Sequence, residues 1–244
     1  VNKFKQTFQK INSVFLTLGT LAIIFAQTTE AAKSKSSSGG SKGEFRVFGG
    51  TQEPKLEQVN SELKAVNLEP MESLVTLGAE AIVPLFWRVS FGFRFIGKTV
   101  ESEDVSGNVQ NELDKNYAYL HQVNAIGLLR FRLVDKTYFK ADIFGGAGLA
   151  KTKLRIRAED DTDGHYTRGY RSENRTGLST AGGSLAVGFG NVFLFIEAGH
   201  EWQNVRLLDK TGTLNTNITK LEMDGPYYFA GLAFDGIPDL PKMK

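Results

Sequence analysis

The 244-residue chain has no cysteine, which rules out a disulfide framework, thiolate chemistry and sulfur-ligated zinc. Proline is scarce, at six against 26 glycines and 18 phenylalanines. That balance suits closely spaced, curved β-structure better than disorder. Neither sign of charge dominates, since 29 Lys+Arg meet 27 Asp+Glu. No strong field therefore selects nucleic acid or another polyanion. Long hydrophobic runs are wanting too. The apolar stretch at 14–26 is shorter than the ~20 residues of a spanning helix, and Thr17, Gly19 and Thr20 dilute it. The mean hydropathy of −0.21 is too polar for a helical membrane protein.

What is present begins with a basic start, Lys3, Lys5 and Lys10, ahead of that apolar stretch, and small residues Ala31 and Ala32 behind it. The pattern reads as a secretory signal over residues 1–32. Residues 33–43 (KSKSSSGGSKG) form a Ser/Gly/Lys tract that cannot bury apolar surface and reads as a flexible linker. A barrel domain is expected over 44–236, and a short tail over 237–244.

Within that domain the dominant signal is period two, the spacing that sends successive side chains to opposite faces of a sheet. The clearest case places Trp87, Val89, Phe91, Phe93 and Phe95 on one face and Arg88, Ser90, Gly92, Arg94 and Lys98 on the other, with Ile96 breaking the rule. The same reading gives eight strands. Tight links are expected near 84–86, 135–137 and 190–191, and long ones near 52–71, 100–116, 159–176 and 208–224. Short turns on one rim and long loops on the other are the layout of a bacterial outer-membrane barrel.

Alternation by itself does not say which face meets lipid, because a soluble ligand-binding barrel has the same period with its apolar face inside. Three features favour the membrane. The polar face carries both signs of charge with many glycines. Several strands reach the ~9–11 residues of a tilted membrane strand. Aromatics Trp87, Phe131, Phe139, Phe189, Trp202, Tyr228 and Phe234 sit near strand ends, where girdles meet headgroups.

In this layout of leader, eight alternating segments, unequal loops and Phe234 near the end of the last strand, the chain from 44 to 234 resembles the small eight-stranded outer-membrane proteins of the OmpA and OmpX type. The resemblance implies an all-β fold, an eight-stranded antiparallel up-and-down transmembrane β-barrel with short periplasmic turns and long extracellular loops. It also implies residence in the bacterial outer membrane as a monomer. The partners would be outer-membrane lipid and lipopolysaccharide and, during biogenesis, the barrel-assembly machinery, which would read Leu232, Ala233 and Phe234. The family usually ends its chain on that aromatic; here residues 235–244 follow.

An eight-stranded barrel is just wide enough to be filled by its own side chains. Arg46, Glu72, Glu80, Arg88, Arg94, Arg130, Arg132, Lys140, Asp142, Glu197 and Glu201 are therefore expected to pair within the lumen, since an unpaired charge there is costly. Lys151, Lys153, Arg155 and Arg157 follow Leu149 on the face directed to lipid lower down. If the strand keeps its phase they meet anionic lipopolysaccharide groups; a β-bulge would turn them inward instead.

Of the three histidines, His121, His165 and His200, none stands in a pattern that places a nucleophile and base within reach. His200 is followed by Glu201 and Trp202 rather than by a serine two residues on, and is assigned to the interfacial belt. Glu159, Asp161, Asp163 and Gly164 echo the start of a calcium loop, but Tyr170 stands where its bidentate carboxylate belongs. No catalytic, metal or cofactor site is assigned. Residues 54–67 match a short amphipathic helix with Leu56, Val59, Leu63 and Val66 on one face; it would pack on the rim, cap the lumen or contact a partner. The resulting expectation is a structural or surface-interaction barrel. The alternatives are a narrow channel or conduit for small molecules, a soluble periplasmic binding barrel and a lipid A-modifying enzyme.

Overall fold

The computed structural model describes residues 43–103, 116–160, 166–206, 210–212 and 216–237. Its strands are β1 (Gly43–Gln52), β2 (Leu74–Phe86), β3 (Val89–Glu103), β4 (Tyr117–Lys136), β5 (Phe139–Asp160), β6 (Tyr166–Phe189), β7 (Val192–Trp202), the short β8 (Asn204–Arg206), β9 (Lys210–Gly212) and β10 (Lys220–Glu222), and β11 (Gly225–Ile237). A helix, α1 (Glu57–Ala65), lies between β1 and β2. Strands β1 to β7 and β11 form a ring of antiparallel neighbours, closed by β1 against β11 and by β5 against β6. Closure gives backbone groups on both sides of the lower barrel a ladder partner; between Tyr166 and Leu178 the side of β6 away from β5 is paired, among the described residues, only with β9, at Tyr170–Ser172. The chain is all-β, an eight-stranded antiparallel up-and-down barrel.

At the end carrying the first and last strand termini, two-residue turns join the hairpins at 87–88, 137–138 and 190–191. Trp87 and Gly190 take positive φ of 46° and 64° there, the conformation tight hairpin turns demand. The first turn was expected at 84–86. Instead β2 continues to Phe86 through a register shift between Pro84 and Phe86. The shift absorbs a proline that has no N–H to give the ladder, and Trp87 belongs to the turn rather than to β3.

The link expected as a long loop over 159–176 is largely strand. Strands β5 and β6 pair without interruption from Phe139↔Val187 to Asp160↔Tyr166. Helix α1 occupies the first long connection and β8 to β10 the last. The expected leader, residues 33–42 of the expected linker, residues 238–244 of the expected tail and most of the second long connection lie outside the described residues, whereas Gly43 and Ile237, expected in the linker and the tail, belong to β1 and β11.

The wall is uneven. Strands β4, β5 and β6 run 20, 22 and 24 residues, whereas β2, β7 and β11 run 13, 11 and 13. The extra length of β4 to β6 rises beyond the other strands at the end away from the termini, and along it the sense of the alternation reverses. Lower down, large apolar side chains point outward, with Leu149 70% and Leu194 69% exposed, while charged ones are buried inside. Higher up, Leu120, Leu154, Ile156 and Tyr170 point inward and Lys153, Arg155 and Arg171 outward. One sheet thus carries two opposite solvent preferences along its length.

Candidate functional site: the lumen and a basic outer wall

The lower interior is an ionic core. Glu80 of β2 accepts from Arg94 of β3 at 3.1 Å (Nε) and 2.8 Å (Nη2), and from Arg130 of β4 at 2.6 Å (Nε) and 2.7 Å (Nη2). Glu197 of β7 closes the box, accepting from Arg94 at 2.8 Å and Arg130 at 2.9 Å. Towards the terminal end, Arg46 reaches Asp142 at 2.8 Å, Ser184 at 3.1 Å and, at close range, Glu44. Arg132 bridges Asp142 (2.8 Å) and Glu44 (3.1 Å), and Lys140 joins Glu44 to Asp235. Above the box, Lys98 binds Glu201 and the Gln52 amide oxygen, while Gln122 donates to Thr152 (2.9 Å) and Gln203 (2.8 Å).

Six cations (Arg46, Arg94, Lys98, Arg130, Arg132, Lys140) are thereby matched by six carboxylates (Glu44, Glu80, Asp142, Glu197, Glu201, Asp235). Balance of this kind is what lets charge persist where water is scarce. Aromatic rings fill the remaining space. Phe48 stacks on Phe229 at 5.0 Å and Tyr227 on Phe229 at 4.5 Å. Arg130 lies 4.5 Å from the Phe144 ring centroid, Arg94 5.1 Å from Phe48 and Lys140 3.9 Å from Phe193, so ring faces also solvate the cations. Packing is close enough that a Cβ added at Gly92 would meet Glu80 Oε1 at 2.3 Å, and one at Gly78 the Phe48 ring at 2.5 Å.

Of the lumenal residues expected from sequence, nine join this network and two do not. Glu72 precedes β2 and is exposed in the connection; its apparent phase with Thr76 was carried past the point where the strand begins. Arg88 sits in the turn with Trp87, exposed at the rim, where it donates to the Leu133 carbonyl and lies over the Trp87 ring. Turn geometry removes it from the inward row. Lys98 had the right phase and was not drawn into the set. Glu44 and Asp235 stand at strand ends, where alternation has too few neighbours to show direction. The lumenal aromatics Phe48, Phe144, Phe193, Phe195, Tyr227 and Phe229 lie on the inward rows, where an aromatic reads as an exception to the polar pattern.

The upper interior is an apolar plug. Leu56, Val59 and Leu63 of the α1 segment pack with Leu68, Met71, Leu74, Leu120, Leu154, Ile156, Val205, Ile218, Leu221 and Met223. This settles the apolar face of 54–67: Val59 and Leu63 are buried, with Val66 packed at the margin. Polar contacts lock the plug in place. The Asn60 amide donates to the Met71 carbonyl and accepts from its N–H, Gln52 donates to the Met223 carbonyl, and Glu62 accepts from the Asn217 N–H. On its solvent side Lys220 pairs with Glu222 and holds that carboxyl below the ordinary carboxylate range.

Outside the barrel, Trp87, Phe131, Phe139 and Phe234 lie near the terminal end and Trp202 and Tyr228 near the other, all at least partly exposed; the side chain of Phe189 lies outside the described residues. Trp87 meets Phe131 edge-on at 5.8 Å. Lys151, Lys153, Arg155 and Arg157 keep the outward phase of Leu149, alternating with buried Thr152, Leu154 and Ile156, so the bulge that would turn them inward does not occur. His200 is outward against Trp202 at 4.8 Å, and His121 is outward opposite Lys153. His165 and the calcium-like segment at 161–164 lie outside the described residues.

No family model matches the sequence, and no curated protein matches it. Among solved structures, Ail, the attachment invasion locus protein of Yersinia pestis in complex with the heparin analogue sucrose octasulfate, is 13% identical with a TM-score of 0.43, covering 79% of this chain and 99% of that one. A second Ail structure is 10% identical, with a TM-score of 0.41 over 80% and 100% of the two chains. The outer membrane protease OmpT of Escherichia coli is 9% identical, with a TM-score of 0.39 over 83% and 99%. The chain is similar to these barrels in fold.

Proposed function

We propose that this protein is a monomeric barrel of the bacterial outer membrane, sealed along its axis, that works as a structural and surface-interaction protein rather than as a conduit. The reading turns the terminal end to the periplasm and the capped end, with its long strands, to the outside. Its support begins with the belt of exposed Phe91, Phe93, Phe95, Leu129, Leu149, Leu194 and Ile196. In water such a belt would be an aggregation hazard, and in hydrocarbon it is the favoured surface.

The observation that carries the sealed reading is double closure. Six ion-paired cations and the rings between them occupy the lower lumen, and α1 with β8 and β10 covers an apolar layer above them. An ion entering from outside would first have to cross a dry layer and then exchange for a buried counter-ion, both steep steps. The reading assigns no reaction to the chain. Planar-bilayer recording on the refolded protein tests it: no steady conductance is expected, and sustained single-channel openings would favour the channel instead. Partition of the mature chain into the aqueous phase without detergent would remove the membrane placement altogether.

A further inference from the structure

Strand register lays out the outer wall of β4, β5 and β6, beyond the apolar belt, in four rungs. Val123, Lys151 and Arg175 form the first; His121, Lys153 and Glu173 the second; Tyr119, Arg155 and Arg171 the third; Tyr117, Arg157 and Gly169 the fourth. At these twelve positions six cations accompany one carboxylate. Glu173 pairs with Lys151 and lies 3.4 Å from Lys153 and 3.5 Å from Arg171, while Glu101 of β3 borders the patch opposite Tyr119. Exposed pairs of this kind hold little energy, so a ligand carrying more negative charge than one carboxylate displaces Glu173 readily. Tyr117 flanks the two highest cations, with Arg155 and Arg157 at 5.9 Å and 6.0 Å from its ring centroid.

Height decides what this face meets, given the membrane placement proposed above. Leu149, on the same outward row of β5, is 70% exposed immediately below Lys151. With a rise of about 3.4 Å per residue and a strand tilt of about 40°, the first rung stands ~5 Å above Leu149 and the fourth ~20 Å above it. The cations thus begin where acyl chains end. A soluble polyanion would have no need of that continuity; an acylated one requires it.

We infer that this wall is a two-tier clamp for lipopolysaccharide. Lys151, Lys153 and Arg175 take the phosphates of the acylated glucosamine headgroup at the membrane surface, whose chains lie along Leu149 and Val123. Arg155, Arg157 and Arg171, beside Tyr117 and Tyr119, take phosphorylated sugars standing above it. Guanidinium forks suit phosphate oxygens in pairs, and ammonium groups serve as point charges.

The test titrates the full chain, folded in zwitterionic micelles, with diphosphoryl lipid A, dephosphorylated lipid A and lipopolysaccharide bearing a phosphorylated core. Heat-modifiable gel mobility reports folding. The lower-tier variant K151Q/K153Q/R175Q should bind diphosphoryl lipid A at least about tenfold more weakly, a loss of one or two charge-assisted contacts. The upper-tier variant R155Q/R157Q/R171Q should keep that affinity and lose the extra affinity for the phosphorylated core. The cap variant K64Q/K220Q should change neither. The inference is overturned if the lower-tier variant retains lipid A binding, if dephosphorylated lipid A binds as well, if the cap variant loses as much, or if a soluble sulfated polysaccharide binds as tightly as lipopolysaccharide. Should a triple variant fail to fold, the wild-type chain decides: affinity should fall steeply as salt shortens the screening length from ~10 Å to ~3 Å, and a flat response refutes the clamp. Conductance and detergent partition do not involve this wall, so a failure here leaves the sealed-barrel reading standing, and the reverse is distinguishable too.

Discussion

Replacing Glu80 with glutamine is the sharpest probe of the lumen. The substitution keeps volume and removes one charge from a box whose members are at most 2% exposed at their side chains. Glu80 accepts from both Arg94 and Arg130; without its charge the two guanidinium groups share Glu197 alone. Removing one partner of a buried pair costs about 3–5 kcal/mol, because the penalty is the stranded charge rather than the lost contact. Two stranded half-pairs place Glu80→Gln at the upper part of that range, with Phe48 and Phe144 offsetting some of it through their ring faces. Urea unfolding in a fixed lipid composition, followed by the fluorescence of Trp87 and Trp202 at opposite ends of the barrel, gives the number. The fourfold variant that makes Glu80, Arg94, Arg130 and Glu197 all apolar should be far milder than Glu80→Gln, because it removes charge in balance. A cost for Glu80→Gln below about 1 kcal/mol would mean that water solvates the box, and the sealed lumen would be wrong.

Three further outcomes follow from the same geometry. Gly92→Val should destabilise by about 1–3 kcal/mol or more through overpacking, since its Cβ would meet Glu80 Oε1 at 2.3 Å; wild-type-like thermal mobility on gels would contradict it. Leu63→Ala, in the fully buried position of α1, should cost about 2–5 kcal/mol of cap stability and raise hydrogen exchange in α1 and β10 while the β2–β3 ladder stays protected; uniform exchange would mean cap and barrel unfold together. Phe93→Arg, on the outward face where Phe93 meets Phe95 edge-on at 4.8 Å, should cost about 2–4 kcal/mol in a bilayer. A neutral effect would place that face in water.

Much of the barrel was legible in the chain because a strand writes its two faces as alternate letters. Trp87 to Lys98 gave both the lipid-directed and the lumenal row, and the inward phase of Arg46, Glu80, Arg94, Arg130, Lys140, Asp142, Glu197 and Glu201 needed only counting by two. Counting failed where the backbone stops being extended. Arg88 fell into a turn, and Glu72 into a connection, both exposed. It failed again over 159–176, which reads as loop although β5 and β6 stay paired as far as Asp160↔Tyr166.

The sequence by itself determined the period, the inward and outward rows, the number of ring strands and the apolar face of the helix at 54–67. Those are properties of residues a few positions apart, and local geometry reads them. Which charge meets which, that Phe48 and Phe229 share the lumen with arginines, that α1 closes the upper mouth, and that Arg171 and Arg175 stand beside Lys151 and Arg155 were decided by closure of the ring. Partners such as Arg46 and Asp142, or Arg94 and Glu197, lie 96 and 103 residues apart, and only the register and curvature of the finished barrel bring them within reach.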